Sequence, residues 1–192
     1  MDLSKYKIGF GITGSFCTIT SVLEEMIRLK NTGADIYPVL SFNVSKLDNR
    51  FNLSHELKEQ IKYICNKKII DTIQDAEPFG PQKKMDAFII APCTGNTISK
   101  LSNGVTDTPV TMAAKATLRN NKPVIIAVST NDGLSGSAKN IGSLLNYKNY
   151  YFVPFGQDDC IKKETSLVAK MELIIPTLEA ALSNKQIQPL LV

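Results

Sequence analysis

Short apolar runs alternate along the chain with segments of helical periodicity. Lys7 to Ile12 and Asp35 to Leu40 read as a first and a second strand, the latter carrying Pro38, which cannot donate to a ladder. Between them Ile19, Val22, Leu23, Met26, Ile27 and Leu29 recur at 3.6-residue spacing, so Thr18 to Lys30 reads as an amphipathic helix. Gly33 follows, where a helix-ending glycine belongs. Leu53 to Ile64 reads as a second helix. Ile69 to Lys84 is ambiguous, a short apolar piece and then a loop with Pro78, Gly80 and Pro81. Asp86 to Ala91 and Val124 to Val128 are continuously apolar, as parallel strands buried on both faces should be. Between those two, a helical segment from about Asn96 to Asn103 ends at Gly104. Another starts at Pro109, with Thr108 as its cap, and runs to about Asn120. Ser137 to Leu145 looks helical, Tyr150 to Val153 is a fifth strand, and Thr165 to Leu182 reads as mostly helical, interrupted by Pro176.

This alternation predicts a three-layer, Rossmann-like α/β fold: an open parallel sheet of about five strands with helices on both faces. Residues 1–192 are read as one domain, with a C-terminal arm from about Asn184. Ligands of such folds bind beyond the carboxyl ends of the strands, so the residues after each strand carry the chemistry.

Gly11 to Thr18 follow the first strand. Glycines allow close backbone approach, Ser15 and Thr18 add hydroxyls, and the helix start offers free N–H groups. Gly9 to Gly14 also spell G-x-G-x-x-G, but the second strand ends in Leu40-Ser41-Phe42-Asn43, without the acid that would hold a dinucleotide ribose. Thr94-Gly95-Asn96-Thr97, Ser129-Thr130-Asn131-Asp132-Gly133 and Pro154 to Asp159 follow later strands. Several strand ends thus bring Ser, Thr, Asn and Gly to one crevice, which favours a phosphate-bearing ligand. General acid–base residues are scarce. His55 is the lone histidine, at the start of the second predicted helix, and Cys17 and Cys93 have no evident base beside them. The catalytic residues are therefore unassigned. No His/Cys group has metal-ligand spacing, so no metal site is expected.

Composition narrows the class. The chain is 43% hydrophobic and 21% charged with a net charge of +4, a globular balance. The basic pairs Lys67-Lys68, Lys83-Lys84 and Lys162-Lys163 are isolated, without the dense stripe of a nucleic-acid surface. No apolar run is long enough for a membrane span. Met1 to Lys5 carry no signal-peptide pattern, and the four separated cysteines fit a reducing compartment, so the cytoplasm is the expected location.

The stretch APCTGNTISKLSNGVTDTPVTMAAKATLRNNKPVIIAVSTNDG from Ala91 resembles the flavoprotein family that includes the cysteine decarboxylases of coenzyme A and lantibiotic biosynthesis. That family carries Pro-Ala-Ser/Thr-Ala-Asn-Thr after its third strand, and Pro92 to Thr97 occupy the position here. The similarity continues through GFGITGSFCT from Gly9, SFNV from Ser41, VPFGQDD from Val153 and the C-terminal QPLLV, and lies with the dipicolinate-forming branch. It implies a flavodoxin-like sheet and an FMN-type pocket. Gly14 and Ser15 match the first phosphate loop, Ser41 and Asn43 the second-strand loop, Thr94, Asn96 and Thr97 the block after strand three, and Ser129, Thr130 and Asn131 the loop after strand four.

The resemblance also implies an oxidoreductase subunit of a spore-former. It would turn a dihydrodipicolinate-level intermediate of lysine biosynthesis into dipicolinate (pyridine-2,6-dicarboxylate), with NAD(P) on a separate A chain. Homo-oligomers, trimers or multiples of them, are implied through the helices flanking the sheet, where Val105 to Leu118 is rich in apolar and small residues. The chain departs from the decarboxylases in keeping only Asn131 of their Pro-x-Met-Asn-x-x-Met-Trp clamp, in having no Trp, and in having Gly95 for an alanine. Retention of FMN stays open. So do two other readings, an FMN-dependent decarboxylase of a cysteinyl compound and a non-catalytic assembly subunit with a vestigial pocket.

Overall fold

A computed structural model describes residues 1–82 and 85–192; the Lys83-Lys84 pair lies outside the described residues. Strands β1 (Lys7–Ile12), β2 (Asp35–Leu40), β3 (Ala87–Cys93), β4 (Val124–Thr130) and β5 (Tyr150–Phe152) pair in parallel in the spatial order β2-β1-β3-β4-β5. This is the flavodoxin-like order, with its reversal between β1 and β3. Every residue of β3 is buried, which its unbroken apolar sequence requires. Pro38 is tolerated because β2 lies at the sheet's edge. Its carbonyl accepts from Ile70 N at 2.9 Å on the outer side, and its nitrogen faces that same side, so no bond to β1 is lost.

Gly9 and Gly11 serve packing rather than a cofactor. A Cβ on Gly9 would collide with the Phe88 ring, and one on Gly11 would lie 2.9 Å from Phe88 and 3.1 Å from Val110. The G-x-G-x-x-G string therefore reports the fit of a β3 aromatic over β1.

The helices follow their sequence signals. Helix α1 (Ile19–Asn31) buries Ile19, Val22, Met26 and Leu29, and Gly33 beyond it has φ +88°. A short helix α2 (Phe42–Lys46), not anticipated from the sequence, follows β2. It is succeeded by α3 (Ser54–Cys65), and by α4 (Ile73–Ala76) with a 3₁₀ turn at Glu77–Phe79 in the ambiguous stretch. Thr94 caps α5 (Gly95–Ser102). Thr108 caps α6 (Pro109–Arg119) reciprocally with Thr111, with Pro109 in the first turn as expected. Helix α7 spans Ala138–Leu145.

One expectation fails in part. Thr165 to Leu182 is helical only from Met171, where a 3₁₀ turn (Met171–Leu173) leads into α8 (Ile174–Leu182); its first residues belong to strand β7 (Lys163–Ala169), which forms an antiparallel hairpin with β6 (Phe155–Asp159). Leu167 decides the matter. Its side chain packs directly on Gly133, where a Cβ would lie 2.6 Å from Leu167 Cγ, so β7 is drawn against the end of β4. Pro176 then sits in the first turn of α8, where a backbone N–H has no helical partner to lose. The sheet is accordingly seven-stranded and mixed, five parallel strands plus the hairpin. Beyond α8 the Gln186 side chain brackets Phe152, accepting from its N–H at 2.8 Å and donating to its carbonyl at 2.7 Å. Leu190 to Val192 then pair with Phe155.

Candidate functional site

The turns after β1, β3 and β4 are sewn together at the carboxyl end of the sheet. Thr13 Oγ1 donates to Pro92 O at 2.7 Å and accepts from Thr94 N at 3.0 Å, tying the β1 turn to the β3 turn. The hydroxyls of Ser15 and Ser129 share a hydrogen bond of 2.7 Å, and Thr18 Oγ1 lies 3.3 Å from Ser129 Oγ, tying the β1 turn to β4. Thr94 Oγ1 accepts from Thr97 N at 3.3 Å and lies 3.1 Å from the Thr97 hydroxyl, closing the start of α5.

The crevice above these turns has two neighbouring lobes. The larger, about 520 Å³, brings together Gly14, Ser15, Thr94, Asn96, Ser129, Thr130 and Asn131. The smaller, about 340 Å³, adds Ser41, Asn43 and Thr97, and shares Gly14, Thr94 and Asn96 with the first. All ten residues singled out from the sequence thus line one crevice. The Ser41 hydroxyl is buried there without a hydrogen-bond partner, while Asn43 and Asn96 are exposed.

The larger lobe also holds residues that the sequence reading did not assign. Asp132 Oδ1 accepts from Thr130 Oγ1 at 2.5 Å and from Ser137 Oγ at 2.8 Å. These three polar groups occupy the space a side chain at position 95 would need. A Cβ on Gly95 would lie 2.5 Å from Ser137 Oγ and 2.7 Å from both Asp132 Oδ1 and Thr130 Oγ1. The glycine standing for an alanine is therefore the counterpart of a carboxylate seated over the start of α5. Only their joint packing reveals it; neither residue signals it alone.

An outer wall comes from two exposed segments. Arg50 and Phe51 enter from the loop between α2 and α3, Asp158 and Lys163 from the β6–β7 hairpin, where they form an ion pair. The Arg50 guanidinium lies 4.7 Å from the centre of the Phe51 ring. Cys17 is exposed on the lobe, whereas Cys93 is fully buried and burial pushes its thiol well above the ordinary range, which makes it inert packing. His55 is exposed on the first turn of α3 and does not line either lobe. Among the described residues no group of three or more His, Cys, Asp or Glu could hold a metal, and no helix is long and apolar enough to cross a membrane.

Comparison with known proteins places this architecture. Residues 1–174 match the Flavoprotein family. The chain is 48% identical over 191 residues to the B subunit of dipicolinate synthase from Bacillus subtilis, covering 100% of this chain and 96% of that one. A crystal structure of the dipicolinate synthase B subunit from Bacillus halodurans superposes with a TM-score of 0.93 at 47% identity, covering 100% of this chain and 98% of that one. The FMN-dependent cysteine decarboxylase SpaF shares the fold, with a TM-score of 0.70 at 19% identity over 95% of this chain and 98% of that one. A seven-stranded flavodoxin-like sheet, a crevice at its switch point and similarity along its whole length make the chain a member of the flavoprotein family, in the group of dipicolinate synthase B subunits.

Proposed function

We propose that the chain works as the B-type subunit of a two-chain oxidoreductase. With an A-type partner it would convert a dihydrodipicolinate-level intermediate to pyridine-2,6-dicarboxylate in the cytoplasm of a spore-former. The full-length similarity to the B subunit of dipicolinate synthase carries this reading. Aromatising a dihydropyridine removes a hydride and a proton, and we assign the NAD(P) that takes the hydride to the partner. The turn after β2 supports that division. It offers Ser41 and Asn43 to the crevice and no acid to hold a nicotinamide ribose.

The crevice fits FMN. An unpartnered buried hydroxyl at Ser41, free amides at Asn43 and Asn96, and the N–H groups opening α5 match a ligand with a phosphate and ring carbonyls. Gly14, Ser15 and Thr94 to Thr97 would hold the phosphate, and Ser41, Asn43 and the end of β4 from Ser129 to Asn131 would orient the remainder. When bound, FMN supplies two-electron redox chemistry at its ring. The chain's own part is to bind, to orient through hydroxyls already fixed by one another, and to cover the larger lobe with the hairpin. Self-association belongs to the same reading. Leu101, Val105 and Leu118 line an apolar groove of about 370 Å³ beside α6, suited to a second copy.

The test is the rate of NADH or NADPH formation from the dihydropyridine intermediate with this chain, the partner chain and both. Robust turnover is expected only with both. Turnover by this chain alone would overturn the division of labour, and a monodisperse monomer near 21.1 kDa in light scattering would remove the self-association.

A further inference from the structure

We propose that Arg50 is a specificity-determining residue that binds one carboxylate of the substrate. This rests on the dicarboxylate reading above. The charges around the larger lobe are otherwise satisfied. Asp158 is paired with Lys163, and Asp132 takes hydroxyl donors from Thr130 and Ser137. Arg50 lines the same lobe, and among the described residues no carboxylate lies within ion-pair distance of it. Its guanidinium rests on the Phe51 ring, an arrangement that steadies the planar fork while leaving its N–H edges free. That fork matches a carboxylate with two parallel hydrogen bonds, which an ammonium cannot imitate.

The loop that carries Arg50 is held in place. Asn49 Oδ1 accepts from Phe51 N at 2.9 Å and Asn52 N at 3.1 Å, and Asn49 N donates to Asn52 O at 3.1 Å. Asp48 Oδ1 accepts from Ser54 N at 2.8 Å, fastening the loop to the start of α3. Arg50 therefore stands near the apex of a turn closed by its own backbone, and little ordering is left for binding to impose. It faces the larger lobe, which Gly14 and Ser15 also line, so the phosphate of a flavin is the competing anion, and FMN affinity separates the two.

Ligand-observed NMR titrations with dipicolinate and with pyridine-2-carboxylate, the analogue lacking one carboxylate, test the assignment. Wild type is expected to prefer dipicolinate, and Arg50→Gln to bind it at least tenfold more weakly, no better than wild type binds the single carboxylate. Arg50→Lys should restore part of the loss, FMN affinity should stay within twofold, and the melting temperature should not move. Unchanged dipicolinate binding by Arg50→Gln would overturn the proposal. So would an equal loss for both ligands, a loss of FMN in place of dipicolinate, or a wild type indifferent to the second carboxylate. If wild type binds neither pyridine, the dicarboxylate reading itself fails and this inference with it.

Discussion

Thr13, Ser15, Thr94 and Ser129 on the inner wall of the crevice hold one another through hydroxyl bonds rooted in buried strands, whereas Arg50, Phe51, Asp158 and Lys163 on the outer wall are carried by exposed segments. The inner wall inherits its geometry from the core, so a change anywhere beneath it is felt as lost stability. The outer wall owes little to the core, so changes there should alter what binds and leave the fold alone. Polar groups that satisfy each other in a part-buried setting are costly to disturb, while solvated charges are not.

The largest break in this comparison lies beneath the inner wall. Gly9→Ala sets a methyl against the Phe88 ring and should cost about 1–3 kcal/mol, the range for overpacking a core. A denaturant melt indistinguishable from wild type would mean that β1 and β3 can part without penalty. Next comes Gly95→Ala, which thrusts a methyl among Asp132, Thr130 and Ser137 and should cost about 1–2 kcal/mol. Adding Asp132→Ala should recover part of that loss, so a double-mutant cycle with purely additive effects would contradict the coupling. Asn96→Ala is expected to weaken FMN by about 1–2 kcal/mol in a flavin titration, if its amide makes one buried hydrogen bond to the cofactor; identical affinities would remove Asn96 from the pocket.

A smaller effect concerns α2, which presents Asn43. Ser45 Oγ donates to Asp71 Oδ2 at 2.5 Å, and this bond, joined by Lys58, holds the Asp71 carboxyl below its ordinary value of 3.8. A depressed carboxyl stabilises the fold above that ordinary value and loses the contribution as pH falls through the lower folded value. Ser45→Ala should therefore cost about 0.5–1.5 kcal/mol at neutral pH, and the gap from wild type should narrow below pH 3.8. A gap that widens in acid would reverse the assignment. The smallest effect is expected at the hairpin, where Lys163→Gln removes an exposed ion pair and should leave the melting temperature unchanged. A large drop would mean that the outer wall is structural after all.

The same contrast governs what the sequence discloses. Phe88 to Ala91 and Val124 to Val128 announce buried parallel strands by unbroken apolar runs, and the ten crevice residues lie at or just beyond the carboxyl ends of β1 to β4. Thr94 and Thr108 announce their helices by capping, a local chemistry. The hairpin escapes because Gln157 to Lys163 face solvent and show no alternation, while Leu167 and Val168 run on towards the apolar start of α8. Arg50 and Phe51 escape because nothing in a polar loop says which face of the molecule it borders. Asp132 escapes for another reason, since its place depends on the absence of a side chain at Gly95, far away in sequence.

Strand β4 changes neighbours along its length. Val124 to Ile126 pair in parallel with β5, and Ser129 and Thr130 pair antiparallel with Leu167 and Val168. The hairpin is thus grafted onto the sheet through two residues of β4, beyond the point where the five-strand register is complete. The strands of the hairpin stay anchored by buried Phe155, Leu167 and Ala169, while its exposed turn at Cys160 to Lys162 lies outside the register of every core strand and can be lengthened, shortened or recharged without moving them.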